Sequence, residues 1–581
     1  MLKSKADLVG HICYAIFDTK RIGNMDRLVD NETRKHGVDT ITCKEAQTDA
    51  CEPATPPAYL LTLAQEISRA VNVYKDSDRN LLSGLRFLLG YGPFNFKLVD
   101  LIDFEPGEVI MIKKTAKKKL KRYQREQRTC DEETHYPGVL SWLIGSVQLD
   151  SATKWPISDD GNSKCHQTIQ LETLSVELST VMYLLGYGAE IRRKRIEVYK
   201  ISDSSMSNDL TCITTGSKSE GLTSFLESDH DRMYVLPHVV CVDDNSHETA
   251  TPDDTTVIKV NNCLAHAGHC KLHVWNLGTI VPSAIMNALC DDGNGGHLLD
   301  SDLFISKFPT GERQPEEVCH ERAGPSLPHS FLGSLHSDRV FTLKYNCPSI
   351  LQRWAERPRL WPPLEVVSKV VSFGAFVAPV GFKESSHRHL EWRICFNTGE
   401  TELMNNLSDT QLNIYVLLKM VVKCVLKPSR KEVTSYVLKN IVLWQAELNS
   451  PTLFHEKSLL HWFHDGLAKL RTVVSTKHLA YYMIPERNIM AASGLEGDQQ
   501  RCWENVITAM MDEGPRIILR LHRIRLAVIA YPDQLLFYSK LRTELEMLQL
   551  EDLKRSFQLI DTSWRVDEHR FDPAAVMETN G

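Results

Sequence analysis

One short stretch has the residue types and spacing to manage phosphate chemistry. In "TTGSKSEGLTSFLESDHDRMYVLP" (residues 214–237) a Gly-Ser pair is followed, after eleven residues, by Asp229 and Asp231. Side chains alternate sides along an extended chain, so acids at i and i+2 share one face. The apolar run Met233-Tyr234-Val235-Leu236 comes next and places the acids at the entry to a core strand. Two carboxylates held together repel unless a cation lies between them, an arrangement suited to Mg²⁺ or Mn²⁺. Gly216 would let a phosphate approach the backbone closely, and Ser217 could donate to it. Two metals roughly 4 Å apart would activate an attacking hydroxyl and stabilise a leaving pyrophosphate. The competing reading is a plain turn followed by a solvated, acidic strand end.

The elements that must position these residues are legible in outline. At 581 residues the chain has room for roughly three or four domain-sized units. Its net charge of −7 gives no global attraction to nucleic acid, so binding to a polyanion must come from local patches. The fifteen cysteines follow no repeating frame, and in a chain of this size they read as reduced thiols of a cytoplasmic or nuclear protein. No apolar run reaches the roughly 18 to 20 residues that cross a bilayer, and "ADLVGHICYAIF" near the start lacks a small-residue cleavage site. A soluble protein is expected.

Residues 1–57 read as disordered and 58–165 as a helical, basic extension. The extension includes nine Lys or Arg between residues 113 and 128. That run reads first as a solvated helix or linker, with nuclear import or phosphate contact as functional alternatives. A long amphipathic helix is predicted through "LETLSVELSTVMYLLGYG", ending at Gly186 and Gly188, with basic "IRRKRIEVYKIS" after it. Residues 243–256 and 310–337 read as polar loops. After about Glu391 the chain turns helical: Ser408–Gln411 spells a capping box, opening a largely apolar helix that stops at Lys427-Pro428. A second helix is predicted through "EVTSYVLKNIVLWQAEL", and "PDQLLFYSKLRTELEMLQLEDLKRSF" reads as a charged helical tail.

The Gly-Ser and Asp-x-Asp stretch resembles the nucleotidyltransferase signature. With "AGHCKL", "NALCDDGNGGHLLDSDLF", "RWAERPRLWPP", "HLEWRICFNTGETELM", "YVLLKMVVKCVL" and "TSYVLKNIVLW" in this order, it is similar to the Mab-21 family, which includes cyclic GMP–AMP synthase and the cGAS-like receptors. The resemblance covers about residues 166–530. It implies an α+β chain with a bilobal nucleotidyltransferase fold, a mixed β-sheet with flanking helices over 166–390. An all-helical C-terminal lobe would follow over 391–530 and a helical tail over 531–581.

The same resemblance assigns roles. Asp229, Asp231 and a third acid, Asp338 in "LHSDRVFTLKY", would be catalytic metal ligands. Gly216 and Ser217 would meet nucleotide phosphates. Arg393 would meet the base or phosphates, Lys419 the triphosphate, Ser435 a phosphate and Tyr436 a base. Each has a plainer role open to it: a loop-end acid, a strand-end ion pair, a snorkelling lysine, a core aromatic. The substrates would be ATP and/or GTP, the product a cyclic dinucleotide, and the setting innate immune signalling.

Some features depart from the family pattern. Between Phe396 and Lys419 there is no Cys or His, so the zinc thumb of cyclic GMP–AMP synthase is absent and double-stranded DNA is disfavoured as activator. Cys395 and Asn397 alter the polar positions after Arg393. Cys263, His266, His269, Cys270 and His273 are zinc-compatible types, but the pairs lie too close together for the usual module, and a structural zinc is not expected. Arg192, Arg193, Lys194 and Arg195 would form a ligand surface contacting phosphates without reading sequence, double-stranded RNA being the ligand considered. The alternative from another class is a catalytically inactive Mab-21-like scaffold or regulator.

Overall fold

A computed structural model describes residues 161–207, 210–225, 227–244, 251–263, 265–308, 317–331, 335–426, 432–530 and 533–563. The readings for residues 1–57, for nearly all of the basic extension and for the end of the tail lie outside these. Apart from 536–542, the described residues belong to one compact unit.

The chain enters through two helices, α1 (Gly161–Met182) and α2 (Ala189–Met206), joined by a π-turn at Tyr183–Tyr187. Gly186 adopts φ 90° inside that turn, a conformation glycine reaches without penalty, so the predicted helix breaks where the glycines stand. Strand β1 (Thr211–Thr215) follows and runs directly into a one-turn helix, α3 (Gly216–Ser219). Ten further strands complete a mixed sheet: β2 (His230–Asp243), β3 (Thr256–Asn261), β4 (His269–Asn276), β5 (Leu289–Asp291), β6 (His297–Leu299), β7 (Glu317–Cys319), β8 (Leu327–Phe331), β9 (Leu335–Asn346), β10 (Ala375–Ala378) and β11 (Trp392–Cys395). Pairings run β1-β2-β3-β4-β11-β10-β9-β8-β7, and β2 also pairs with β9, closing a circuit of strands. β1 is antiparallel to β2, while β2 is parallel to both β3 and β9.

The alternation along β2 matches the sequence reading. Met233 and Val235 pack with Phe376 and Ile213 on one face. Tyr234, on the other face, stacks on Phe341 at 5.4 Å between ring centroids. Asp229 and Asp231 have the same parity as Met233, so they continue the end of that apolar stripe. Two readings are corrected. Residues 310–337 are not one polar loop, because β7 and β8 form antiparallel pairs leading to β9. Such short strands are held by ladder hydrogen bonds rather than by alternating burial, so no pattern announces them. The sheet also extends past residue 391, since Trp392 and Arg393 pair with Cys270 and His269.

Helices then take over: α4 (Asn397–Asn405), α5 (Asp409–Val421), α6 (Ser435–Leu448), α7 (Leu459–Thr476), α8 (Gly497–Asp512), α9 (His522–Ala530) and α10 (Asp533–Ser563). The capping box is present: Ser408 Oγ accepts from Gln411 N, and Gln411 Oε1 accepts from Ser408 N at 2.9 Å. α5 is buried almost all round, as its continuous apolar sequence requires. Gly466 of α7 lets the two helices come close, since a Cβ there would stand 3.2 Å from Leu418. No helix among the described residues is long and apolar enough to cross a membrane.

Candidate functional site

The Gly-Ser turn and the acids are one piece of structure. Thr215 stands opposite Asp231 in the β1–β2 ladder, and the chain then turns at Gly216 with φ +67°. A Cβ on Gly216 would lie 2.5 Å from Asp231 Oδ2. The Asp231 carboxylate therefore rests over the bare Cα of the turn, and only glycine leaves it that space. Asp338 is the register partner of Asp231 across the parallel β2–β9 pair. Register partners point to the same side of strands about 4.8 Å apart, so the two carboxylates are side-by-side neighbours. Asp229 lies one pleat away, exposed, immediately before β2 begins.

Among the described residues no three His, Cys, Asp or Glu side chains are gathered tightly enough to hold a metal ion by themselves. The donor set is two adjacent carboxylates with a third nearby. That fits Mg²⁺ or Mn²⁺ of the kind that takes one or two carboxylates and completes its shell with water and substrate phosphates. It does not resemble a dedicated all-protein cage.

Helical residues reach this turn. Lys419 of α5 donates from Nζ to Ser217 Oγ at 2.9 Å, and burial lowers its pKa from the usual lysine value. Next along, Ser219 Oγ donates to Gly216 O at 2.9 Å and lies 3.2 Å from Thr401 Oγ1 on α4. Glu220 is fully buried and pairs with Lys439 of α6 at 2.6 Å, and Lys439 stands 3.6 Å from Glu400. Glu400 Oε1 accepts from Tyr436 OH at 3.0 Å and from Tyr481 OH at 2.6 Å. Burial opposes the charge on Lys439, but Glu220 and Glu400 outweigh it and raise its pKa. Sequence reasoning missed Glu220, Lys439, Glu400 and Tyr481. The available signal was Lys439 itself, a charge one helical turn below Ser435 and among the apolar Val437, Leu438, Ile441 and Val442.

The loop between turn and acids is pinned from inside. Lys218 is wholly buried and donates to the carbonyl oxygens of Ser224 and Phe225, the latter at 2.7 Å. Burial pushes its pKa down to about 7. Arg523 of α9 pairs with Glu227 and donates to Tyr187 OH at 2.6 Å.

The proposed ligand surface on α2 needs correction. Arg195 is buried; its guanidinium forks onto both Glu546 oxygens at 2.7 and 2.9 Å and donates to the carbonyls of Gly186 and Gly221, each at 2.9 Å. Arg192 is buried as well, 3.6 Å from Asp409. Only Arg193, which is exposed, and Lys194, which is half-buried beside Glu197, remain outward. A four-residue basic run on a helix spreads over every face, and two of its members face the interior here.

Arg393 sits half-buried on β11 and Ser435 is exposed at the first residue of α6. Of the zinc-compatible residues, His266 stacks on Phe382 at 3.7 Å and Cys270 Sγ donates to Trp392 O. His269 and Cys270 are consecutive on β4 and point to opposite faces.

The architecture is thus a mixed α/β sheet followed by a C-terminal helical domain. Residues 395–506 match the Mab-21 protein HhH/H2TH-like domain, a match that supports the Mab-21 resemblance over the helical part of the chain. The match starts at the last residue of β11 and runs through α4 to α7 into α8. No curated protein matches the chain.

Proposed function

We propose that this chain is a metal-dependent nucleotidyltransferase of bilobal fold, which joins ATP and/or GTP into a cyclic dinucleotide. The Mab-21 domain points to the nucleotidyltransferase superfamily. The reading is carried by one observation: Asp231 and Asp338 stand side by side against a Gly-Ser turn whose serine is held by Lys419.

In this reading Asp231 and Asp338, with Asp229 beside them, would hold a divalent cation, which would supply positive charge to the phosphates. Gly216 leaves the phosphates room against the backbone, and Ser217 and Lys419 donate to their oxygens. Lys419 carries three N–H donors, so it can keep Ser217 while binding an oxyanion. The hydroxyl oxygen of one nucleotide bonds to the α-phosphorus of another, and the bond to pyrophosphate breaks. The hydroxyl proton passes to an Asp338 carboxylate oxygen. Arg393 and Tyr436 hold the base or phosphate of the bound nucleotide. The trigger is a polyanion such as double-stranded RNA, met by Arg193 and Lys194 on the outward side of α2. The cysteines among the described residues are all free thiols, in keeping with a cytoplasmic or nuclear setting.

The test is to incubate the full chain with ATP, GTP, Mg²⁺ or Mn²⁺ and long double-stranded RNA or DNA. A phosphatase-resistant product is expected from the unaltered chain and none from Asp231→Asn or Asp338→Asn. Product from those variants, or none from the unaltered chain with any ligand, would leave a nucleotide-binding scaffold as the better account.

A further inference from the structure

Two arginines flank the same pair of residues. Arg393 of β11 is the register partner of His269 on β4, and Gly268 O accepts from Ile394 N at 3.0 Å. Arg487 arrives from the turn after α7 and lies flat across Gly268. A Cβ on that glycine would collide with Arg487 Cδ and stand 3.1 and 3.2 Å from Cγ and Nε. Gly268 has φ +77°, so both its backbone and its missing side chain admit the arginine.

The Arg487 backbone is held in place and its side chain lies against an aromatic ring. Its carbonyl accepts from Tyr481 N at 2.8 Å and its amide donates to Ile484 O at 2.9 Å, while its guanidinium carbon sits 5.1 Å from the Tyr481 ring centroid. Both arginines are half-buried, and among the described residues neither pairs with a carboxylate. Arg195, Arg357 and Arg523 each have one. Glu400, which accepts from the Tyr481 hydroxyl beside Arg487, is already bonded to Tyr436, Tyr481 and Lys439. His269 adds no negative charge; burial, then Arg487 and Arg393, push its pKa down to about 3, so it stays a neutral imidazole. Two half-buried guanidiniums without an anion are costly to hold. A phosphate, whose oxygens each fork can take in pairs, relieves that cost.

We propose that Arg487 and Arg393 form a phosphate clamp over Gly268 and His269, with Arg487 as the phosphate-binding residue the Gly-Ser and acidic motifs do not announce. That the phosphate is a nucleotide's rests on the function proposed above; the clamp itself does not.

The experiment is calorimetric titration of the full chain in EDTA with inorganic triphosphate, ATP and adenosine. EDTA removes the contribution of the acidic residues. Triphosphate and ATP should bind and adenosine should not. Arg487→Gln should weaken both anions at least tenfold, and Arg487→Lys, which keeps the stem and the charge but not the fork, about three- to fivefold. Arg501→Gln, at an exposed arginine outside the site, should bind them as the unaltered chain does. ATP binding tighter than triphosphate identifies a nucleotide site; equal binding identifies a general phosphate site. Anion affinity unchanged in both Arg487 variants overturns the clamp. If Arg487→Gln does not fold, Arg487→Lys alone decides in the same way. A chain that binds triphosphate through Arg487 yet makes no cyclic product keeps the clamp and loses the catalytic reading.

Discussion

Lys419 and Ser217 are joined by a hydrogen bond of 2.9 Å across 202 residues of chain. The contact fastens the turn after β1 to the most deeply buried helix of the Mab-21 domain. The Lys419 ammonium also lies 5.3 Å from the Tyr415 ring centroid, within cation–π range, so its position is fixed before any ligand arrives.

Lys419→Met keeps the stem and removes the charge. ATP affinity, measured by calorimetry, is expected to fall at least tenfold, because a hydrogen bond from a charged group contributes about 1.5–3 kcal/mol. Ser217→Ala should cost less, since Lys419 remains to meet the phosphate. Equal ATP affinity in Lys419→Met and the unaltered chain would remove Lys419 from the site.

Gly216→Ala tests the contact between turn and acid. Gly293 provides the comparison: its φ is +79° and nothing lies within 4 Å of a Cβ placed there. Alanine at Gly293 meets only the backbone penalty of about 1 kcal/mol. At Gly216 it meets that penalty and Asp231 Oδ2 as well, so a loss of about 2–3 kcal/mol is expected. Urea midpoints for the two variants measure the difference; equal shifts would mean that Asp231 moves aside freely.

The candidate site was legible in sequence where its residues are close together or typed by their chemistry. Gly216, Ser217, Asp229 and Asp231 sit in one short stretch, and Asp338 takes the register position beside Asp231. The Ser408 capping box was readable because its partner is three residues away. Burial of Arg192 and Arg195 was not, because what turns Arg195 inward is a glutamate 351 residues downstream. Glu220 and Lys439 escaped for the same reason: a charge looks solvated in sequence until its partner is known. β7 and β8 were read as loop because strands of only a few residues carry no periodicity.

The Arg195–Glu546 pair predicts how the end of the chain supports the turn. Glu546→Gln or Arg195→Met leaves a buried charge without its partner, and a loss of about 3–5 kcal/mol is expected. Arg195→Met also strands the carbonyls of Gly186 and Gly221, so it should be the worse of the two. Replacing both, as Arg195→Met with Glu546→Gln, should recover part of the loss. Chemical denaturation of the three variants checks the order; additive losses in the double variant would mean that the pair is not coupled.

His269 makes stability depend on pH in a stated direction. Burial, with Arg487 and Arg393 behind it, depresses its folded pKa to about 3, whereas an unfolded histidine titrates near 6.5. Between those values the unfolded chain binds a proton that the folded chain does not, so stability falls as pH drops below about 6.5. The slope from this one group is about 1.4 kcal/mol per pH unit. His230, pushed down to about 3 by burial, and Glu177, pushed up to about 7 by burial, also contribute between pH 5 and 6, so the share of His269 is read as the difference in slope between the variant and the unaltered chain. His269→Gln, which cannot take up the proton, should flatten the denaturation midpoint in that window by about one proton's worth. A slope as steep in the variant as in the unaltered chain would show that the imidazole already carries its charge in the folded state, and the field of the two arginines would then have to be weaker than their placement over Gly268 and His269 implies.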